Sequence, residues 1–163
     1  IGNLDRERAI ALLRGVAEYL GPNDRFLVGF DRKKDPATIL RAYNDSEGHT
    51  REFNLNLLRR MNRELGADFE IDNFIHAPVY DPCTGRALSY IVSTREQVVN
   101  IPGAEKPFHF KAWEALHTEI SQKYDSAMIA DLATQAGLRI TEQFTDGKGY
   151  FSDVVFAPQQ TIK

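Results

Sequence analysis

Apolar residues recur every three or four positions along the start of the chain. This spacing predicts an amphipathic helix over Leu4–Leu20, with Asn3 as a candidate cap and Gly21 near its end. The next segment, Arg25–Asp31, is almost entirely apolar, which is typical of a short strand covered on both faces of a sheet. A helix followed by a buried strand is half of an α/β unit, and a strand ending before residue 1 would complete that unit.

Two further helices are predicted in the first half of the chain. Asp35 followed by Pro36 is typical of a helix start, and this helix extends to about Tyr43. The other begins at Thr50 and ends at Gly66. Its buried apolar face is predicted to contain Phe53, Leu57, Leu58, Met61 and Leu65.

The middle of the chain changes from helical to strand-like patterns. Short turns between the runs suggest antiparallel connections, including one between the second and third strands. Residues 102–109 have the composition of a loop, and within 108–121 a strand is favoured near the end. The three runs predicted as strands are Phe74–Tyr80, Ala87–Thr94 and Gln97–Ile101.

The last forty or so residues return to alternating helix and strand patterns. Asp125 or Ser126 caps a helix that reaches about Ala136, and Leu138–Phe144 with Tyr150–Ala157 reads as a strand hairpin. The fold class is therefore α/β at both ends, with an α+β segment inserted between them.

Composition excludes several kinds of partner. The 163 residues are 42% hydrophobic and 26% charged, with a net charge of -3, so we expect neither a nucleic-acid partner nor a membrane span. The single cysteine, Cys83, excludes an internal disulfide and fits a reducing, cytoplasmic location. The chain opens on Ile1 and Gly2, which resemble the end of a strand, so we expect the natural protein to continue upstream.

Few recognised chemical motifs occur in the sequence. No glycine-rich phosphate loop and no nucleophile elbow are found, and His109 and His117 have no acidic residues arranged around them, so no metal site is predicted. The remaining candidate is a carboxylate and a hydroxyl, Glu119 and Ser121. In an extended segment they point to the same face and could bind one small polar ligand, although a pair of this kind, taken alone, is more often part of a solvated strand face.

Six stretches together resemble a known family, and their order and spacing fit from end to end. The most specific are the sequences NRELGADF, beginning at Asn62, and TEISQKY, beginning at Thr118. The chain resembles the histidine-specific, S-adenosylmethionine-dependent methyltransferases, which trimethylate the α-amino group of histidine on the way to ergothioneine. The other matching stretches are Ile1–Leu4, Leu40–Asp45, Phe53–Leu58 and Ala136–Leu138.

The resemblance implies a class I, Rossmann-like methyltransferase sheet interrupted by a substrate-binding domain. Residues 1–32 would be the late part of the methyltransferase domain, 33–123 the substrate-binding domain, and 124–163 the closing helix and strand hairpin. The site for S-adenosylmethionine would lie upstream of this chain. The chain would then be the C-terminal half of the enzyme, and inactive by itself.

The resemblance also assigns roles to individual residues. Asn3 and Tyr43 would hold the carboxylate and amine end of the substrate, and Glu119 and Ser121 would bind the imidazole ring. Ser89 lies where family members carry methionine near the ring. A second departure is Trp113, which replaces a glycine before the TEISQKY stretch. No general base is identified.

The implied activity is N-methylation of the α-amino group of histidine or a related small amino acid. A rival hypothesis is a non-catalytic module that binds an amino acid or amine. Another is a methyltransferase of the same family that acts on a different small amine, such as an indole amino acid.

Overall fold

The chain begins with a helix capped by an aspartate and ends in a strand hairpin. The structure, a computed structural model, describes residues 1–159. The helices are α1 (Arg6–Ala17), α2 (Pro36–Tyr43), α3 (His49–Leu65) and α4 (Ser126–Gln135). The strands are β1 (Phe26–Asp31), β2 (Phe74–Asp81), β3 (Arg86–Ser93), β4 (Gln97–Val99), β5 (Phe108–Phe110), β6 (Ala115–Gln122), β7 (Leu138–Thr145) and β8 (Phe151–Pro158).

The chain divides into two compact units. The first comprises Ile1–Asp35, Asp81–Arg86 and the part from Ile120 onward, and the second comprises Pro36–Tyr80 and Ala87–Glu119. Both ends of the described chain therefore belong to one unit, with the second unit inserted between them in sequence. The domain boundaries expected from the resemblance remain a prediction.

The first unit is built on a three-stranded antiparallel sheet in the order β1-β8-β7. Its core is formed by apolar side chains of α1, α4 and the sheet, with Leu13, Phe30 and Phe156 fully buried. The Phe30 ring packs edge-on against Tyr124, with centroids 5.0 Å apart. Burial of large apolar side chains of this kind contributes about 1.5–3 kcal/mol each.

The second unit has its core on one side of α3. Leu58, Phe69, Phe74 and Ile91 are buried together. The strand order in its larger sheet is β2-β3-β6, and β4 pairs with β5 in a separate two-stranded sheet.

The NRELGADF stretch has a structural role at the end of α3. The Asn62 side chain donates to the Phe69 carbonyl and accepts from the Phe69 amide, both at 2.8 Å. Gly66, with φ of 66°, ends the helix in the left-handed region that glycine adopts without strain. The Asp68 carboxylate then accepts from the backbone and side-chain amides of Asn100. These contacts fix the loop that leads into β2.

Three predictions about the helices and strands are wrong. Asp5, not Asn3, caps α1, because its carboxylate accepts from the Arg8 amide at 2.8 Å. The strand β4 pairs with β5, which begins within the predicted loop, rather than with β3. The face predicted for α3 is correct at Leu58 and Met61 but wrong at Phe53, which is 74% exposed while the polar Asn54 is buried.

The first strand is less buried than its composition suggests. Phe30 is fully buried, but Leu27 is 60% exposed. The only paired neighbour of β1 within residues 1–159 is β8, which is antiparallel. The mixed α/β class is confirmed, whereas the observed sheets are built from antiparallel pairs. None of the helices among the described residues has the length and apolar character needed to cross a membrane.

Candidate functional site

Strand β6 carries the TEISQKY stretch and confirms the extended conformation on which the sequence argument depended. Glu119 and Ser121 lie two positions apart in this strand, so their side chains leave the backbone on the same side. Both residues are half-buried. The strand therefore presents a carboxylate and a hydroxyl in the orientation that the sequence predicted.

Ser121 is held by a buried lysine. The Lys123 Nζ atom donates to Ser121 Oγ at 2.8 Å and lies 2.7 Å from Asp31 Oδ2. Only 3% of the Lys123 side chain is exposed. Burial acts to raise the pKa of the Asp31 carboxyl, but the hydrogen bonds and charges of Lys123 and Lys34 outweigh it, so the pKa lies below its ordinary value. Asp31 is therefore ionised and neutralises the buried lysine.

The first residues of the chain lie against the end of β6 in the first unit. The Gly2 carbonyl accepts from the Gln122 amide at 2.7 Å, and the Tyr124 hydroxyl donates to the Ile1 carbonyl at 3.5 Å. A Cβ atom placed on Gly2 would lie 3.9 Å from Ser121 Oγ. Asn3 therefore follows a residue that is next to Ser121. Its side chain is exposed and forms no hydrogen bond with a described residue.

Tyr43 lies at the last position of α2, in the second unit. Its ring packs beside the buried residues Ile39, Tyr80 and Ala87, so part of its role is that of a core aromatic. Its carbonyl accepts a hydrogen bond from Nε2 of His76 at 2.9 Å. Because that ring nitrogen must donate, His76 fixes the backbone at the end of the helix.

Ser89 is buried in β3, also in the second unit, and is 1% exposed. Its carbonyl accepts from the Thr118 hydroxyl at 3.0 Å, which places it beside the residue that precedes Glu119. Its own Oγ atom has no hydrogen-bond partner among the described residues. A buried hydroxyl without a partner costs about 1–3 kcal/mol, so this atom is a candidate for contact with a ligand.

Trp113 adopts a backbone conformation that usually belongs to glycine. Its φ is 67°, and it is the one non-glycine residue within the described chain with a positive φ. The ring is 69% exposed. Its amide donates to the Ser93 carbonyl at 2.7 Å. The left-handed conformation gives a physical reason for a glycine at this position, which is the residue that the resemblance implies.

The sequence argument missed Lys123 and Asp31. Lys123 is two positions after Ser121 in a stretch predicted to be extended, so it was open to recognition as a same-face neighbour. Asp31 gave no such signal, since it is distant in sequence and follows an apolar strand. The structure adds no support for a role of the cysteine or the histidines in chemistry. Cys83 is exposed in a turn, and residues 1–159 contain no cluster of three metal-ligating side chains.

Two solved structures align with most of this chain, but the likeness is weak. A methyltransferase from Clostridium acetobutylicum aligns with 96% of this chain and 53% of its own, at 9% identity and a TM-score of 0.46. DesVI from Streptomyces venezuelae covers the same shares at 18% identity and a TM-score of 0.34. At these scores the alignments carry no argument about function.

Proteins related by sequence resemble this chain more closely than these structures do. The histidine N-alpha-methyltransferases of Mycolicibacterium smegmatis and Mycobacterium tuberculosis are 37% and 34% identical to the chain, each over 93% of its length. The ergothioneine biosynthesis protein 1 of Neurospora crassa is 35% identical over 92% of the chain. The chain spans 47% of each bacterial relative and 17% of the fungal protein.

A family model agrees with these relatives. The model for histidine-specific, S-adenosylmethionine-dependent methyltransferases matches residues 1–158. The match includes both units and all five residues that the sequence analysis proposed for substrate binding. The chain belongs to the histidine-specific, S-adenosylmethionine-dependent methyltransferase family.

Proposed function

We propose that the protein containing this chain transfers methyl groups from S-adenosylmethionine to the α-amino group of histidine. The observation that carries this proposal is the family match over residues 1–158 together with the extended presentation of Glu119 and Ser121 on β6. The carboxylate is suited to accept from a ring N–H, and the hydroxyl can bond the other ring nitrogen. Two polar contacts of this kind distinguish an imidazole from a purely apolar ring.

The amino-acid end of the substrate is assigned to Asn3 and Tyr43. An amide and a phenol can both donate to a carboxylate. Support for Asn3 comes from its surroundings, since Asp5 caps α1 and leaves the Asn3 amide exposed and without a hydrogen bond to the described chain. For Tyr43, the binding group is the hydroxyl, while the ring packs against the core of the second unit.

The proposed reaction is in-line attack of the neutral amine on a methyl carbon. Bound S-adenosylmethionine would supply that methyl group on a positively charged sulfur, and the carbon–sulfur bond would break as the nitrogen–carbon bond forms, leaving a neutral thioether. The main contribution of the protein is to hold the amine nitrogen in line with the methyl carbon, which converts an encounter between two molecules into a reaction within one complex. No general base is assigned among the described residues.

The arrangement of the natural protein is part of the proposal. The first unit would be the late part of a class I methyltransferase domain, and the second would be the bulk of the substrate-binding domain. The S-adenosylmethionine site would lie in residues upstream of Ile1, so we expect the 163-residue chain to be inactive by itself. A cytoplasmic location belongs to the same proposal.

Ser89 supports a second candidate within the same family. A buried hydroxyl without a hydrogen-bond partner lies where the resemblance implies a methionine near the ring. A small polar side chain there changes the shape and polarity offered to a ligand, so the substrate could be a different small amine. A non-catalytic amino-acid-binding module is the third candidate.

The test is calorimetric titration of the full-length protein with histidine. We expect Glu119→Ala and Ser121→Ala each to weaken histidine binding at least tenfold. Each substitution removes a hydrogen bond to a polar ring, which lowers the binding free energy by roughly 1.5 kcal/mol or more. Glu142→Ala is the matched control, because Glu142 is an exposed strand glutamate. Tight histidine binding that survives both substitutions would refute the site assignment.

A methyl-transfer assay separates the enzyme from the binding module. The full-length protein is expected to methylate histidine, and the 163-residue chain to show no turnover. Turnover by the chain alone would contradict the upstream placement of the cofactor site. Histidine binding by the full-length protein without any methyl transfer would favour the binding module.

A further inference from the structure

The buried lysine of the first unit has the geometry of a positioning residue. The Lys123 side chain is 3% exposed, and its ammonium group lies 2.7 Å from Asp31 Oδ2 and donates to Ser121 Oγ at 2.8 Å. A buried charge is destabilising unless it is paired and hydrogen-bonded. Lys123 therefore cannot move away from these partners without a large loss of stability.

The backbone around the lysine is also fixed. The Lys123 amide donates to the Gly85 carbonyl at 2.7 Å, and the Tyr124 amide donates to the Asp31 carbonyl at 2.9 Å. On the other side of the carboxylate, Lys34 is hydrogen-bonded to Asp31 Oδ1. Asp31 is therefore held as an ionised group between two lysines, and one of these, Lys123, also donates a hydrogen bond to Ser121.

The direction of the hydrogen bond between Lys123 and Ser121 follows from chemistry. An ammonium group has three donors and no acceptor, so Ser121 Oγ must be the acceptor. The single hydroxyl proton of Ser121 is then directed away from Lys123. No described residue accepts it.

We infer that Lys123 makes Ser121 a hydrogen-bond donor toward the substrate and thereby selects a ring that carries an unprotonated nitrogen. This inference rests on the proposed function, in which Ser121 contacts the ring. Glu119, which can only accept when ionised, requires a ring N–H. The two residues together demand one donor and one acceptor nitrogen, which is the neutral form of imidazole.

The requirement for one ring N–H and one unprotonated ring nitrogen distinguishes between the candidate substrates. An indole has an N–H but no acceptor nitrogen, so it would leave the Ser121 proton unpaired. Imidazolium has two N–H groups and no acceptor, so it would also leave the Ser121 proton unpaired. A site whose polar groups are left unpaired rejects an analogue strongly. Neutral histidine satisfies both groups.

The first test is a double-mutant cycle for histidine affinity, measured by calorimetry on the full-length protein. We expect Lys123→Met to weaken binding about tenfold in the parent and to have no further effect in a Ser121→Ala background, because it acts through Ser121. Lys33→Met is the matched control, since the Lys33 ammonium group pairs with Asp125 at 3.1 Å and donates to the Cys83 carbonyl instead.

The cycle separates two kinds of failure. If Ser121→Ala weakens binding but Lys123→Met has the same effect in both backgrounds, the role of Lys123 is overturned and the proposed function stands. If Ser121→Ala leaves histidine binding unchanged, the ring-binding role of Ser121 is refuted, and this inference falls with it.

A second test needs no substitution and so does not depend on the folding of a variant. Histidine labelled with ¹⁵N in its ring is bound to the full-length protein, and the nitrogen chemical shifts report which nitrogen carries a proton. We expect one protonated and one unprotonated nitrogen in a single tautomer. Two protonated nitrogens would overturn the inference.

An analogue extends the second test to specificity. A pyrrolylalanine attached through carbon keeps a ring N–H but lacks the acceptor nitrogen, and we expect it to bind at least about 100-fold more weakly than histidine. In Lys123→Met the discrimination between the two ligands is expected to fall, a change that a loss of stability alone would not produce. Equal binding of both ligands by the parent protein would overturn the inference.

Discussion

The two units differ in how they treat polar groups that are removed from water. In the first unit these groups are partnered: Lys123 contacts Asp31 and Ser121, and the Gln122 amide donates to the Thr84 carbonyl at 2.7 Å. In the second unit, Ser89 Oγ and His76 Nδ1 have no hydrogen-bond partner among the described residues.

The difference indicates which unit holds its buried polar groups in a fixed geometry and which unit is destabilised by leaving such groups unpaired. A satisfied network holds one geometry, which suits the first unit to fixing the orientation of Ser121. Unpaired buried atoms and the left-handed Trp113 lower the stability of the second unit. Destabilising features of this kind persist mainly at functional sites. Ser89 is one of the residues proposed to contact the ligand.

The largest expected effect is on the backbone that supports Lys123. Gly85 has a φ of 76°, and a Cβ atom on it would collide with the Lys123 carbonyl. We expect Gly85→Ala to lower the free energy of unfolding by about 3 kcal/mol, from backbone strain and the collision together. Gly137→Ala is the control, since Gly137 has a φ of 70° and nothing within 4 Å. Urea denaturation measures both, and equal losses would show that the close approach to Lys123 is unimportant.

Removing the counterion of the buried lysine comes next. We expect Asp31→Asn to cost about 2 kcal/mol near pH 7, less than for a fully buried pair because Asp31 is partly exposed. The folded pKa of Asp31 is below its ordinary value of 3.8, so its stabilisation is complete above that value and is lost as pH falls through the folded pKa.

Denaturation of the Asp31→Asn variant and the parent is therefore compared near pH 7 and near pH 3, and the difference should shrink at the lower pH. Asp131→Asn is the control, because Asp131 pairs with Arg6 at the surface and should cost less than about 1 kcal/mol. A cost for Asp31→Asn that does not change with pH would contradict its role as a charged partner.

Two serines of β3 provide a comparison within the second unit. Ser93 is fully buried and donates to the Arg95 carbonyl at 2.7 Å, whereas Ser89 is buried without a partner for its hydroxyl. We expect Ser93→Ala to destabilise the chain by about 1–2 kcal/mol and Ser89→Ala to stabilise the ligand-free chain by up to about 1 kcal/mol. Thermal and urea denaturation give the signs, and a clear loss of stability in Ser89→Ala would remove the contrast between the units.

The smallest effect concerns Trp113. Replacing it with glycine relieves a left-handed conformation, so we expect Trp113→Gly to stabilise the second unit by about 0.5–1 kcal/mol, after the entropy cost of glycine is included. Trp113→Ala keeps the strain and should show no gain. A gain of equal size in Trp113→Ala would mean that the exposed ring, rather than the backbone, is responsible.

The helices and the closing hairpin were predictable because their signals are local. Spacing, an aspartate cap and a terminal glycine predicted α4 almost to the residue, and the β7–β8 pairing follows from a short turn between two strand patterns. The predicted face of α3 was wrong at Phe53 because a polar residue, Asn54, is buried instead, with its amide oxygen 2.9 Å from the Thr118 hydroxyl. Periodicity counts apolar residues and cannot anticipate a buried polar pair.

The sequence by itself determined the family, the extended conformation of β6 and the shared direction of Glu119 and Ser121. These follow from residue order and from the period of two in a strand. Only the tertiary structure decided that Asp5 caps the first helix and that Lys123 is buried against Asp31 and Ser121. The physical reason is that burial and ion pairing depend on which distant segments meet, whereas strand alternation is set by the backbone alone.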